Sequence, residues 1–486
     1  MFLDGVTYAA IARNLAEGRG RFWEPFYTAT IYPAFHEHPP LAFWLQSLWF
    51  RVLGDRWYVE RLYCLAAAML IAALIAVTWR TTYRGSLKAR NVGADPRVRP
   101  GADPSTLVLS DVEGRALRAG TSVGPDARHF ETGVRDLEWL PILLWISAPV
   151  VSWSIVGNLL ETTVCVFVSA AVAAIAVASR GRAAAAIGVG CVSGLCAIGA
   201  GLSKGPVGFF PLVAPVFMAI LPDRRRSTLW SAVGQWTTVA ACAAVLWSIP
   251  SAHESLVAYF NQQIVTALAG EREVSGSSIT IVIALLQGVW LPMGVALTLI
   301  VLAARGWVPP SSRDRQVALV FTLIGLSGTL PMLISPKQTG HYLMPAVPFY
   351  AIGGAAIVAE TVVSLTHRLS DRGVILLRAL TVALAIVGFA AIWVPAVERD
   401  PARLADLDRI ATNAPRGEII GICPASNSDW LLHAWMQRRF LISLDAGAPR
   451  AHEWFLKSTD TAADCPPSSC VPISATAGAL SLMRCR

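Results

Sequence analysis

"YPAFHEHPPLAFWLQSLWFRVLG", residues 32–54, sets His36, Glu37 and His38 against two prolines and then turns strongly apolar. The histidines do not read as a metal pair. A zinc-binding H-E-x-x-H places two imidazoles one turn apart on a helix, and here Pro39 and Pro40 occupy the positions where that helix would continue. "HESLV" at 253–257 fails as well, because Val257 cannot bind a metal. The apolar run 40–54 is too short to span a bilayer and reads as an interfacial helix, with Trp44, Trp49 and Trp57 at headgroup depth.

Outward from that stretch the chain is apolar throughout. Of its 486 residues 54% are hydrophobic and 15% charged, against about 25% charged in an ordinary soluble protein. Apolar runs long enough to cross a bilayer recur. They predict ten spanning helices, at 59–80, 138–157, 159–179, 183–202, 204–221, 229–250, 279–303, 316–335, 342–365 and 374–395. The net charge of +8 is therefore no nucleic-acid signal. The basic residues sit in alternate loops, at Arg180 and Arg182, Arg224 to Arg226, Arg305 to Arg315, and Arg368 and Arg372. Placing those loops in the cytoplasm puts residues 1–58, the 251–278 loop and the tail from 396 on the far side.

Residues 81–137 contain GADP twice and little apolar periodicity, which predicts a dispensable, low-complexity cytoplasmic insertion. The tail differs. "GEIIGIC" and "RRFLISLDAG" read as strands around a helix "SDWLLHAWMQ", the makings of a small α/β domain over 396–486. Cys423, Cys465, Cys470 and Cys485 lie in this polar segment, where an oxidising compartment would pair them. The close spacing in "DCPPSSCV" suggests Cys465 with Cys470, leaving Cys423 with Cys485.

Ionisable groups at membrane spans are costly and mark function by default. Asp4, Glu37, His38, Glu60, Arg61, Glu161, Lys204, Lys337 and His341 all fall at the outer ends of helices or in outer loops. Together they could hold a phosphate and activate a hydroxyl. Each has a plainer alternative. Arg61 can anchor the interface, Lys204 can be a turn lysine, and Glu161 reads best as a helix-start carboxylate facing the helix dipole. In "SPKQTGHYLMP", a cation followed by His341 and Tyr342 suits a lipid phosphate.

Four stretches in order, "LDGVTYAAIARNLAEG", "FHEHPPLAFWLQSLWFRVLGDRWYVERL", "GLSKGPVGF" and "SPKQTGHYLMPAVPF", resemble bacterial membrane glycosyltransferases of the aminoarabinose transferase and protein O-mannosyltransferase type. The resemblance covers residues 1 to about 365. It implies a mainly α, polytopic GT-C-type membrane domain (1–395) with a small periplasmic α/β domain behind it, in the bacterial cytoplasmic membrane. It implies a sugar delivered on a polyprenyl phosphate to a lipid, protein or glycan acceptor, with inversion. Asp4 matches the acidic residue of the first outer loop, the general base or acceptor-orienting group. Glu37 matches an acidic residue tied in some relatives to site organisation or metal binding, although nothing in the sequence requires a metal. Arg61, Lys204, Lys337 and His341 match the cations around the donor phosphate, with His38 and Tyr342 beside them.

Three features depart from that pattern. Gly5 stands where many relatives carry a second acidic residue, and His38 where many carry lysine. The family also has a spanning helix ahead of the aspartate, which leads one to expect that the natural chain begins upstream of Met1. The competing readings are a lipid-linked sugar transporter or flippase, for which internal repeats are expected, and an inactive remnant.

Overall fold

The computed structural model describes residues 3–83, 133–178, 183–270, 309–334 and 339–368, most of 401–485, and scattered positions at 279–294 and 372–383. Most of the expected spans 279–303 and 374–395 lies outside the described residues, as does most of the expected insertion 81–137.

Six described helices are long and apolar enough to cross a membrane. They comprise α3 (Val59–Tyr83), α6 (Leu160–Val177), α7 (Ala183–Lys204), α8 (Arg225–Ser248), and two that include α10 (Ser312–Thr329) and α11 (Val347–Arg368). The chain is thus a multi-pass membrane protein. Two expected spans take another form. The 138–157 stretch is two helices, α4 (Trp139–Ile146) and α5 (Pro149–Val156), set at 72°. Pro149 opens α5 and has no N–H to continue the ladder from α4. The 204–221 stretch runs as a 3₁₀ helix, Pro206–Val213, followed by a short α-helix, Ala214–Met218. Pro206, Pro211 and Pro215 each remove a donor, and the stretched 3₁₀ rise of about 2 Å per residue lets few residues cover much depth.

Within the bundle, small residues bring helices together, the usual device where lipid offers no hydrophobic gain. α7 and α8 pack backbone to backbone. A Cβ on Gly190 would stand 2.1 Å from the Ser231 carbonyl oxygen, and one on Gly234 would stand 2.1 Å from that of Ile187. Both ends of the bundle are tied. At the basic end, Arg313 pairs with Asp223, Tyr83 donates to Asp314 at 2.8 Å, and Arg224 donates to the carbonyl of Ala176 at 2.9 Å. Ser311 and Asp314 form a reciprocal capping box that starts α10 there.

The other end carries α1 (Leu3–Ala16), α2 (Leu41–Leu53) and the tail. α2 starts directly after Pro39-Pro40 and stops at Gly54, whose N–H bonds Phe50 O. α1 seats on the α5–α6 turn. The Asn158 amide donates to Gly5 O at 2.9 Å and its oxygen accepts from Gln46 at 2.6 Å. A Cβ at position 5 would stand 1.7 Å from the Gly157 carbonyl oxygen. The second acidic residue suggested by the family pattern therefore has no room here. A Gly5→Ala protein is expected to lose stability at the upper end of the roughly 1–3 kcal/mol of an overpacked site. An unchanged melting temperature of the solubilised protein would mean that α1 is not seated on this turn.

The tail forms a five-stranded sheet in the order β2-β1-β3-β5-β4. Its elements are α12 (Pro401–Ala411), β1 (Ile419–Ile422), α13 (Trp430–Phe440), β2 (Ser443–Asp445), β3 (Trp454–Ser458), β4 (Cys470–Pro472) and β5 (Leu480–Cys485). β1–α13–β2 is the expected strand–helix–strand run, closed as a parallel pair. Asp429 caps α13 by accepting from Leu432 N, and Leu441 ends it in the left-handed region.

The tail docks on α1 and the segment after it. Val6 enters the tail's apolar core beside Leu404, Leu407 and Ile420. Thr30 donates to Leu444 O at 2.7 Å, and Ser443 accepts from Ala29 N at 3.0 Å. Arg13, fully buried, donates to the carbonyls of Gln437 at 2.6 Å and Arg438 at 3.3 Å. Burial lowers the Arg13 pKa to about 10, which leaves it charged at any physiological pH. Residues 1–58 and the tail thus share one end of the molecule, as expected.

The expected cysteine pairing is corrected. Cys423 bonds Cys465, and Cys470 bonds Cys485. β4 opens at Cys470 and pairs antiparallel with β5, which sets Cys470 opposite Cys485. Closeness along the chain is overruled by strand register. Peptide mapping without reduction should recover these two links, and a Cys465–Cys470 link would contradict the β4–β5 pairing.

Candidate active site

The end of the bundle that carries α1 and α2 holds a cavity of about 430 Å³ lined by Glu37, His38, Glu161, Lys204 and Tyr342 among apolar walls. Lys204 is the last residue of α7, and Glu161 is the second residue of α6. Their side chains form a buried ion pair. His341 Nε2 stands 3.5 Å from the same Glu161 oxygen, and the Lys204 ammonium lies 4.3 Å from the centre of the Tyr342 ring. Glu161 thus gathers an ammonium, an imidazole and, through the lysine, an aromatic face at one point. Its place in the first turn of α6 agrees with the dipole reading, but its partners make it part of the site.

The glycine after the lysine has a definite use. Gly205 is at φ +83°, and a Cβ there would stand 2.0 Å from the Tyr259 hydroxyl. That hydroxyl donates to Lys204 O at 3.3 Å. The space that Gly205 leaves beside Lys204 is filled by Tyr259, which fixes the backbone that carries the lysine.

The segment between α1 and α2 supplies the other wall. Tyr32 donates to Glu37 Oε1 at 2.6 Å, and His38 Nε2 stands 3.1 Å from the Tyr8 hydroxyl. Tyr8 lies one turn after Asp4 on α1. Burial pushes its phenol far above its usual value, and the charges of Asp4, Glu161 and Glu37 push the same way. It therefore stays protonated, a neutral donor or acceptor set among three carboxylates. Asp4 itself is half-buried in the first turn of α1.

The structure accordingly brings Glu37, His38, Lys204, His341 and Tyr342 together and sets Asp4 within electrostatic reach through Tyr8. It does not bring Arg61, which lines a different cavity with the tail. Lys337 lies outside the described residues. Sequence reasoning undervalued Glu161 and missed Tyr8 and Tyr259. For Tyr8 the signal was available, because i, i+4 spacing from Asp4 puts both on one face of α1. No group of three or more His, Cys, Asp or Glu side chains suited to a metal occurs among the described residues.

A second cavity of about 440 Å³ adjoins the first through shared Pro206, Phe209 and Tyr259, and its walls are almost wholly apolar, with Leu202, Leu246 and Leu256 among them. A charged pocket adjoining an apolar groove suits an amphiphile with an anionic head.

A multi-pass helical bundle, a charged pocket at one end and a small α/β unit docked at the same end define the class of fold, a polytopic helical membrane domain carrying a small α/β domain. Two solved structures share it. ArnT from Cupriavidus metallidurans bound to undecaprenyl phosphate superposes with a TM-score of 0.58 at 16% identity, covering 99% of this chain and 93% of that one. The same protein in the apo state gives 0.55 at 16% identity, covering 99% and 92%. No family model matches the sequence, and no curated protein matches it significantly.

Proposed function

We propose that this protein is an inverting glycosyltransferase that moves a sugar from a polyprenyl phosphate to an acceptor at the outer face of the bacterial cytoplasmic membrane. One observation carries the reading. The pocket lined by Lys204, Glu161 and Glu37, with His341 behind Glu161, adjoins an apolar groove, in a fold shared over almost its whole length with a protein solved with undecaprenyl phosphate.

In this reading the prenyl chain lies along the groove and the phosphate approaches Lys204 and His341. A phosphate leaving group needs positive charge aimed at the oxygen that becomes anionic. Lys204 supplies it from a backbone held by Tyr259. The acceptor's nucleophilic atom attacks the anomeric carbon from the face opposite the phosphate. The carbon–oxygen bond to the phosphate breaks, its electron pair stays on the phosphate oxygen, and the acceptor's proton passes to the Asp4 carboxylate. Glu37, oriented by Tyr32, and His38, oriented by Tyr8, line the acceptor side. Dry walls strengthen each of these charge interactions. Two disulfides in the tail suit an oxidising compartment and hence the outer face.

The test is to incubate membranes containing the protein with labelled polyprenyl-phosphate sugars, then extract and identify the product. Label transferred to a new acceptor supports the reading. Label that crosses the bilayer on an unchanged lipid would replace it with transport.

A further inference from the structure

A third cavity, of about 320 Å³, lies where the tail meets the turn from α2 into α3, and it shares no lining residue with the charged pocket or the apolar groove. Four arginines line it, Arg61, Arg416, Arg438 and Arg439, against two carboxylates, Asp55 and Glu60. The carboxylates are already committed. Asp55 takes three guanidinium groups, from Arg13 at 3.3 Å, Arg416 at 3.0 Å and Arg438 at 2.6 Å. The second arm of Arg438 goes to Glu60 at 3.1 Å. Arg439 meets Asp408 at 2.6 Å, outside the lining. Among the described residues that line this partly shielded pocket, guanidinium groups outnumber carboxylates four to two, and the buried Nε of Arg438 has no acceptor among the described residues.

The position of the cavity says what could balance it. Arg61 sits at the start of α3, a spanning helix, with its guanidinium 5.0 Å from the centre of the Trp57 ring. Trp57 is itself 55% exposed. A tryptophan and an arginine together at the end of a span mark the depth of lipid headgroups. Guanidinium groups bind phosphate through paired hydrogen bonds, better than lysine would. Basic pockets at helix ends hold anionic headgroups elsewhere by the same physics. We infer that this cavity holds the phosphate headgroup of an anionic phospholipid, which bridges Arg61 on the membrane bundle and Arg416 and Arg439 on the tail. The inference is independent of the transfer reaction, since it uses none of that site's residues.

The test uses purified full-length protein in detergent, with its melting temperature followed against dioleoyl phosphatidylglycerol, dioleoyl phosphatidylcholine or inorganic phosphate. Phosphatidylglycerol should raise the melting temperature at concentrations at least about tenfold below those at which phosphatidylcholine acts, and inorganic phosphate should have no comparable effect. Arg416→Gln combined with Arg439→Gln should erase the preference, and so should Arg61→Gln alone, which keeps the test valid if the double variant folds poorly. Equal response to the two lipids overturns the inference, as does a preference that survives both variants. Inorganic phosphate acting as strongly as the lipid overturns the lipid assignment.

Discussion

If the proposed reaction holds, Asp4→Asn should transfer sugar at least about a hundredfold more slowly than the parent chain, in a protein that folds and still takes up the lipid donor. The two roles open to Asp4 separate chemically at this substitution. As a helix-start residue, asparagine serves about as well as aspartate, so little stability should be lost. As a base, asparagine cannot accept the proton, and loss of general-base assistance costs about 10²–10⁴-fold in rate. The setting favours the second role. Asp4 lies one turn from Tyr8, whose hydroxyl is 3.1 Å from His38 on the wall of the charged pocket. Transfer rate and melting temperature measured on the same preparation check it. Near-normal transfer by the asparagine protein would reduce Asp4 to a helix-start residue and pass the search for the base to Glu37.

Much of this arrangement is legible in the sequence, because the strongest signals there are local. Long apolar runs place α3, α6 and α7. The Pro-Pro pair and Gly54 delimit α2, and the β-branched run at 419–422 marks a strand. What escaped depends on contacts between distant segments. The bend between α4 and α5 needed Pro149 to outweigh an apolar run that otherwise reads as one span. The cysteine pairing needed the β4–β5 register. In the site, a lysine and a glutamate 43 residues apart cannot be seen to meet in sequence, and Glu161 accordingly reads as a helix-start carboxylate. Arg61 shows the reverse error. It lies at the right end of the molecule and belongs to another cavity, because proximity to an outer helix end fixes depth in the membrane but not position around the bundle.

The Lys204–Glu161 pair allows a sharper separation of structure from chemistry. Lys204→Met leaves Glu161, 1% exposed, with His341 as its remaining ion-pair partner among the described residues. Breaking a buried pair from one side typically costs about 3–5 kcal/mol, so this single variant should be markedly unstable. Its low activity would by itself say nothing about phosphate. Adding Glu161→Gln removes the stranded charge, and replacing both members of a buried pair by neutral side chains of similar size is often close to neutral. The melting temperature of the double variant should therefore return toward that of the parent. On the proposed mechanism its transfer rate should not, because the ammonium assigned to the leaving phosphate is still missing, and one such electrostatic contact is worth about 10²–10³-fold in rate. If transfer instead recovers along with stability, Lys204 serves only to neutralise Glu161, and the positive charge for the leaving group must come from elsewhere. His341 is then the residue to test, since it is the other cation-forming side chain that reaches the same Glu161 oxygen, at 3.5 Å.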